Sequence, residues 1–170
     1  MLEIRQENMS DHEQVYNVIK TAFEKAEHSD GNEQDLVIEL RKSNSFIPEL
    51  SLVAVDENKI IGYVLFTKIK IGDNTELALA PLAVLPEYQR KGIGTRLVKE
   101  GHKIAKQLNY NYSIVLGSNK YYPRLGYIPA SRYNIKAPFD VEDDYFMAIK
   151  LNENAKTING IVEYDKAFRI

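Results

Sequence analysis

The residues best suited to chemistry lie in a short turn between an apolar strand and a helix. The turn begins at Gln89 and contains two glycines, Gly92 and Gly94. The first N–H groups of a helix have no partner within the helix, and the helix dipole adds about half a positive charge there. Glycines at this point let an anion approach the backbone. We therefore predict that this glycine turn (residues 89–95) binds phosphate through Gln89, Arg90, Lys91, Gly92, Ile93, Gly94 and Thr95.

Two common phosphate-binding motifs do not fit the glycine turn. The dinucleotide fingerprint needs a third glycine at position 97, where this chain has Leu97. A Walker loop needs Gly-Lys-Ser or Gly-Lys-Thr, and the sequence contains neither tripeptide. The pattern that remains is Gln89-x-x-Gly92-x-Gly94 after an apolar strand.

This pattern resembles the acetyl-CoA pyrophosphate motif of the GCN5-related N-acetyltransferase (GNAT) family, Gln-x-x-Gly-x-Gly/Ala. A second motif, about thirty residues further on, resembles the family's Tyr-Tyr-x-x-x-Gly-Phe/Tyr segment and reads Tyr121-Tyr122-Pro-Arg-Leu-Gly126-Tyr127. The run from Pro81 to Pro86 is also similar to an uncharacterised bacterial branch of the family. The resemblance implies an acyltransferase that uses acetyl-CoA as its co-substrate.

The resemblance implies an α/β fold with a mixed, mostly antiparallel central sheet, flanked by helices, in which strands four and five splay apart. The residue pattern agrees with the family's element order, β-α-α-β-β-β-α-β-α-β. It predicts strand three over about 60–71, strand four over about 76–84 and a central helix over about 95–108. Pro81 should disturb the pairing of strand four, because proline has no N–H to donate. We also predict an extended segment over 127–135 and a weak late strand over 158–164.

The splayed strands imply where the cofactor lies. In the family, the pantetheine arm of acetyl-CoA pairs with free backbone groups of strand four, which here implies Leu82, Ala83 and Val84. Their N–H groups could also stabilise the negative charge that develops during acyl transfer. The resemblance places Asn119 close to the pantetheine, and a helix cap is the alternative role for this residue.

Tyr122 lies four residues before Gly126, where the family places its acid tyrosine, so the resemblance implies that Tyr122 is catalytic. A phenol with a pKa near 10 would protonate a thiolate with a pKa near 8.5 at a cost of about 2 kcal/mol. Hydrogen bonding to the thiolate is therefore the favoured role, and aromatic packing is the alternative. For the neighbouring Tyr121 we expect packing.

The amine acceptor must lose a proton, because a free alkylamine has a pKa near 10.4. Ordered water is one acceptor for this proton, and the candidate side chains are Glu24, Glu27, Glu33, Asp35 and Glu76. For each of these carboxylates a solvated surface position is the alternative. The three histidines lack the spacing of metal ligands, and we expect His102 to be exposed on its helix, so we predict no metal.

Composition limits the remaining function classes. The chain has 170 residues, a formal net charge of −2 and no cysteine. We expect a single N-acetyltransferase domain over residues 1–170, no nucleic-acid partner and no thiolate chemistry. The polar start and the lack of a long apolar run predict a cytoplasmic protein without membrane contact.

We therefore expect transfer of an acetyl group from acetyl-CoA to an amine by direct attack in a ternary complex. A non-catalytic acetyl-CoA-binding module and an oligomeric scaffold are the alternatives. The acceptor is a small-molecule or peptide amine, and the loops over 27–33 and 131–144 do not specify which. The acidic residues of the second loop could attract a cationic acceptor, and a solvated surface is the alternative; they are Asp140, Glu142, Asp143 and Asp144. Dimers are common in the family, so a homodimer remains open.

Overall fold

The fold is a mixed sheet with three α-helices, and the computed structural model describes it over residues 1–26 and 29–170. The helices are α1 (His12–Phe23), α2 (Glu33–Arg41) and α3 (Ile93–Gln107). The strands are β1 (Leu2–Gln6), β2 (Ser51–Asp56), β3 (Lys59–Ile71), β4 (Asn74–Val84), β5 (Tyr112–Leu116), β6 (Ile128–Pro129), β7 (Ile135–Lys136), β8 (Phe146–Lys150) and β9 (Gly160–Glu163).

The strands follow the order β1-β2-β3-β4-β5-β8-β6, and β9 joins the sheet by pairing with the end of β3 and with β7. Within the described residues, the β4–β5 and β7–β9 pairs are parallel and the other pairs are antiparallel. This arrangement confirms the mixed, mostly antiparallel sheet that the family resemblance implied.

Strands β4 and β5 touch over a very short length. They pair at Leu77 with Ser113 and at Ala78 with Ile114, and β4 then continues alone on this side to Val84. The splay that the family resemblance implied is therefore present. On its other side β4 pairs with β3, where the register shifts next to Pro81, as predicted.

The helices cover both faces of the sheet. Gly62 of β3 faces α3, because a side chain there would lie 3.1 Å from a leucine of that helix. Successive strand residues point to opposite faces, so Tyr63 faces the other side. Its hydroxyl lies 2.6 Å from Ser51 Oγ, which donates to Glu7. The buried Glu7 carboxylate accepts two hydrogen bonds from Arg41 of α2, at 2.9 and 2.8 Å. Thus α2 and α3 lie on opposite faces.

Two buried apolar clusters support this arrangement. The larger one joins the three helices to strands β2, β3 and β4, and the smaller one fills the space among β5, β7, β8 and β9. Ile69 and Ile71 of β3 belong to the smaller cluster. Both clusters include residues from both sides of the β4–β5 separation, since Ala78 of β4 belongs to the smaller cluster and Val115 of β5 to the larger one.

Of two further predicted segments, one differs from expectation and the other is confirmed. The segment over 127–135 is only partly extended, because a 3₁₀ turn (Ala130–Tyr133) interrupts it and ends at Asn134 with a positive φ of 61°. The weak strand predicted over 158–164 is present as β9. Its short pairing with β3 and β7 explains why its sequence pattern is weak.

The expectation that His102 is exposed was wrong. Its Nε2 atom lies 2.9 Å from the Tyr127 hydroxyl, which in turn lies 2.9 Å from Ser113 Oγ. Its ring also packs edge-on against Phe66, with ring centroids 5.8 Å apart. Burial lowers the pKa of His102 from its ordinary value of 6.5 to about 4. The imidazole is therefore neutral at pH 7.

This burial predicts a specific dependence of stability on pH. Between pH 6.5 and pH 4 the unfolded chain protonates His102 while the folded chain does not, so stability falls as the pH drops. The variant His102→Gln cannot titrate. We expect the unfolding free energy of wild type minus that of the variant to fall by about 2 kcal/mol between pH 7 and pH 4.5. Urea titrations at several pH values measure this difference.

Tyr127→Phe is the matched control, because it removes the bonded hydroxyl but keeps the buried imidazole. Its unfolding free energy should follow the pH dependence of wild type. Parallel pH curves for wild type and His102→Gln would contradict the burial of a neutral His102.

Candidate active site

The backbone of the glycine turn is shaped to receive an anion. Two of its residues have positive φ, Arg90 at 65° and Gly92 at 81°. Backbones of this kind form concave groups of N–H donors. The N–H groups of residues 90–92 donate no hydrogen bond within the described part of the chain. Gly92 is also the N-cap of α3, so the unpartnered N–H groups of the first helical turn follow directly.

The space around Gly94 is narrow on one side. A Cβ atom at this position would lie 3.1 Å from the Tyr121 hydroxyl and 3.6 Å from a methyl group of Leu82. The Tyr121 hydroxyl is also 3.0 Å from Thr95 Oγ1. Tyr121 therefore packs, as expected, and in addition ties the segment after β5 to the start of α3. No pattern in the sequence indicated this hydrogen bond.

Gln89 uses its side chain within the protein. Its Nε2 atom donates to the carbonyl oxygen of Val84 at 2.9 Å, which fixes the end of β4 to the glycine turn. The side chain of Lys91 is exposed, and its Nζ lies 5.6 Å from the centre of the Tyr88 ring. This hydrogen bond of the glutamine side chain was not predicted, because the sequence motif does not show which atoms that side chain contacts.

Leu82, Ala83 and Val84 lie beyond the last β4–β5 pair. They are paired with β3 on one side, and β5 has separated from them on the other. Alternate backbone groups of such a strand point away from its single neighbour and remain open to a ligand. The structure thus brings together the edge of β4 and the glycine turn, which the sequence placed in one site.

Tyr122 lies at the start of a 3₁₀ turn (Tyr122–Leu125) that follows β5. Its ring packs on Gly117, where a Cβ atom would lie only 2.6 Å from the ring, and edge-on against Tyr127. Burial raises the pKa of the Tyr122 phenol well above its ordinary value of 10. The phenol is therefore neutral over the usual range of pH and can donate a hydrogen bond.

Asn119 lies in the loop between β5 and this turn. It is half-buried, and its side chain makes no hydrogen bond with the described residues. The neighbouring Ser118 Oγ accepts hydrogen bonds from the N–H groups of Lys120 and Tyr121, both at 3.2 Å, so Asn119 does not act as a cap.

A cavity of about 300 Å³ opens where β4 and β5 separate. Ala78, Leu79 and Ala80 line it from β4, and the last three residues of β5 line it from the opposite side. Of the carboxylates considered as bases, Glu33 lines this cavity. Glu24 and Asp35 are exposed, and Glu27 lies outside the described residues.

Glu76 is neither a solvated residue nor a member of this cavity. Its carboxylate is buried and accepts hydrogen bonds from the N–H groups of Asn111 and Tyr112, at 2.8 and 3.1 Å. Burial raises its pKa, although the two hydrogen bonds oppose this shift. The alternative of a surface position was wrong for Glu76, which instead joins the start of β4 to the start of β5.

The acidic side chains of the second loop, namely Asp140, Glu142, Asp143 and Asp144, are exposed. Among the described residues, no three or more histidine, aspartate or glutamate side chains come together as a metal site would require. Over the same residues, no helix has both the length and the apolar character needed to cross a bilayer.

The chain is similar in sequence to a known protein family and to two bacterial proteins. Residues 12–127 match the model of the Acetyltransferase (GNAT) family. The uncharacterised N-acetyltransferase YjhQ of Escherichia coli is 35% identical over 136 residues, which cover 75% of this chain and 75% of YjhQ. The uncharacterised N-acetyltransferase YhbS of the same organism is 31% identical over 140 residues, which cover 80% of this chain and 83% of YhbS.

Two solved structures have the same fold over nearly the whole chain. The crystal structure of Escherichia coli YhbS in complex with CoA has a TM-score of 0.90 and 27% identity, covering 99% of this chain and 92% of that one. A GNAT family acetyltransferase from Brucella melitensis in complex with acetyl-CoA has a TM-score of 0.82 and 27% identity, covering 99% and 98%. The chain is therefore a member of the GNAT family of N-acetyltransferases.

Proposed function

We propose that this protein transfers an acetyl group from acetyl-CoA to a primary amine by direct attack in a ternary complex. The observation that carries the proposal is the open edge of β4, which begins beyond Ala78 and leads to the unpartnered N–H groups of the glycine turn. The CoA and acetyl-CoA complexes of the two structural relatives support this choice of co-substrate.

The residues present fit acetyl-CoA. The N–H groups of Lys91, Gly92, Ile93, Gly94 and Thr95 would hold the pyrophosphate, with Gln89 and Arg90 shaping the turn before them. Among the described residues, no atom beyond the two chain neighbours lies within 4 Å of a Cβ built on Gly92, which leaves this side open for a large anion. The open edge at residues 82–84 would pair with the amide groups of pantetheine, and the half-buried Asn119 would add one hydrogen bond from the other side of the gap.

The chemistry assigned to the chain is hydrogen bonding. Acetyl-CoA supplies a thioester, whose carbonyl carbon the amine attacks after it has lost a proton to ordered water or to a nearby carboxylate. The new C–N bond forms as the C–S bond breaks, and CoA leaves as a thiolate. Those N–H groups of residues 82–84 that point away from β3 would donate to the carbonyl oxygen as it gains negative charge. Tyr122 would donate a hydrogen bond to the departing sulfur. Because its pKa is raised by burial, the phenol is a poor proton donor, so we assign it hydrogen bonding and not proton transfer.

We further propose that residues 1–170 form a single domain, which is supported by structural relatives that cover 99% of the chain. The small-molecule or peptide acceptor, the cytoplasmic location and the homodimer stay predictions. A non-catalytic binding module would show acetyl-CoA binding without turnover, and a scaffold would show neither.

The variant Gly94→Glu tests the glycine turn. It places a negative charge between the turn and the phosphates and pushes on Tyr121, so we expect CoA to bind at least about tenfold more weakly. Calorimetric titration measures the Kd. The control Gln107→Glu adds the same charge at the exposed far end of α3 and should change the Kd little. Unchanged affinity in folded Gly94→Glu would rule out phosphate binding at this turn.

The variant Tyr122→Phe tests the role of the phenol. Loss of a hydrogen bond to a charged group costs about 1.5–3 kcal/mol, so kcat should fall about 10- to 100-fold while the Kd of acetyl-CoA stays the same. Because the phenol is neutral throughout, this factor should be constant between pH 6.5 and pH 9. The exposed Tyr145→Phe serves as the control. If kcat is unchanged, Tyr122 is only a packing residue.

A further inference from the structure

The cavity at the β4–β5 separation has a chemical character that restricts its occupant. We propose that it selects a cationic primary amine that carries an aromatic or branched apolar body. This inference rests on the proposed acetyl transfer, because the amine would have to reach the gap between β4 and β5 to be acetylated.

The position and the size of the cavity limit what it can hold. Its floor is formed by Ala78, Leu79 and Ala80 of β4 and by the last residues of β5, Ile114, Val115 and Leu116. These are the residues at which the two strands part, so an occupant lies next to the proposed thioester position. A volume of about 300 Å³ is at the lower end of the range for small-molecule sites. It suits a compact body and not a folded partner.

One side of the cavity is an aromatic wall, which consists of Phe139, Tyr164 and Phe168. Phe139 and Tyr164 are stacked, with ring centroids 6.2 Å apart and an interplanar angle of 21°. Tyr164 and Phe168 follow at 5.0 Å. The three rings come from the loop before β8 and from the segment after β9, and together they make this side of the cavity aromatic. Such surfaces favour flat or branched apolar groups.

The lining of the cavity also carries negative charge. Asp30 and Glu33 line the cavity, and its lining contains no lysine or arginine among the described residues. The Ser29 hydroxyl lies 2.7 and 2.8 Å from the two carboxylate oxygens of Glu33, which fixes the side chain at the start of α2. Neither carboxylate forms an ion pair with a described residue. The negative charge therefore remains available to attract an ammonium group.

These features together distinguish between kinds of amine. A linear polyamine or a lysine side chain would satisfy the carboxylates but would offer only a narrow methylene chain to the three rings. An apolar body without a charge would cover the rings but would leave the carboxylates without a partner. An amine joined through a short linker to an aromatic or branched group satisfies both, within the available volume.

The test measures CoA release at saturating acetyl-CoA with four amines: 2-phenylethylamine, ethylamine, spermidine and a lysine-containing peptide with a blocked N-terminus. We expect kcat/KM for 2-phenylethylamine to exceed that for ethylamine at least about tenfold, because the phenyl ring is buried against the aromatic wall. It should also exceed the values for spermidine and the peptide.

Variants separate the two recognition elements. Phe168→Leu and Phe139→Leu, which lie on different segments of the wall, should each lower the ratio of kcat/KM for 2-phenylethylamine to kcat/KM for ethylamine at least about threefold. Glu33→Gln should raise KM for both amines and leave KM for acetyl-CoA unchanged. Glu39→Gln, an exposed carboxylate of the same helix, is the matched control and should change neither KM.

The outcomes distinguish this inference from the function on which it rests. Faster acetylation of spermidine or of the lysine peptide than of 2-phenylethylamine would overturn the inference and leave the acetyl transfer standing. A preference for 2-phenylethylamine that both phenylalanine variants leave intact would also overturn it. If protein that binds acetyl-CoA releases CoA with none of the four amines, the proposed transfer fails and the inference fails with it.

Discussion

The short pairing between β4 and β5 is the feature on which the proposed site depends. Two residue pairs hold the strands together, and the buried Glu76 carboxylate fixes the start of β5 to β4 through the N–H groups of Asn111 and Tyr112. A carboxylate placed there costs desolvation, which two hydrogen bonds from backbone N–H groups partly offset. Beyond Ala78 the described residues of β4 and β5 form no further pair, so the strands separate at this residue. The mouth of the cavity and the open edge of β4 both begin there.

The open edge is useful only if the glycine turn is held in line with it. Gln89 provides one connection by donating to the Val84 carbonyl, and the Tyr121–Thr95 hydrogen bond provides another across the gap. Both contacts use side chains, so the backbone N–H groups of the turn remain available. A long ligand with an amide-containing arm and a pyrophosphate can therefore be bound almost entirely by backbone groups. This explains why the lysine and arginine side chains of the turn can remain exposed.

The sequence was informative where structure is local and less so where it is not. The glycine turn, the strand before it and the start of α3 could be predicted because their residues act on their own backbone. Glu76 was misjudged because its partners lie 35 and 36 residues away. His102 was misjudged for a similar reason, since Tyr127 and Phe66 come from other elements. The aromatic wall combines rings from two distant segments, and no periodicity in the sequence connects them.

The central claim is that one ligand spans the open edge of β4 and the glycine turn. Two-dimensional ¹H–¹⁵N spectra recorded with CoA and with pantetheine, which lacks the pyrophosphate, test this claim directly. The account predicts that CoA shifts the amide signals of residues 82–84 and of residues 91–95, whereas pantetheine shifts only the first group. Signals that remain unchanged in both groups at saturating CoA, or the same set of shifts with both ligands, would contradict it.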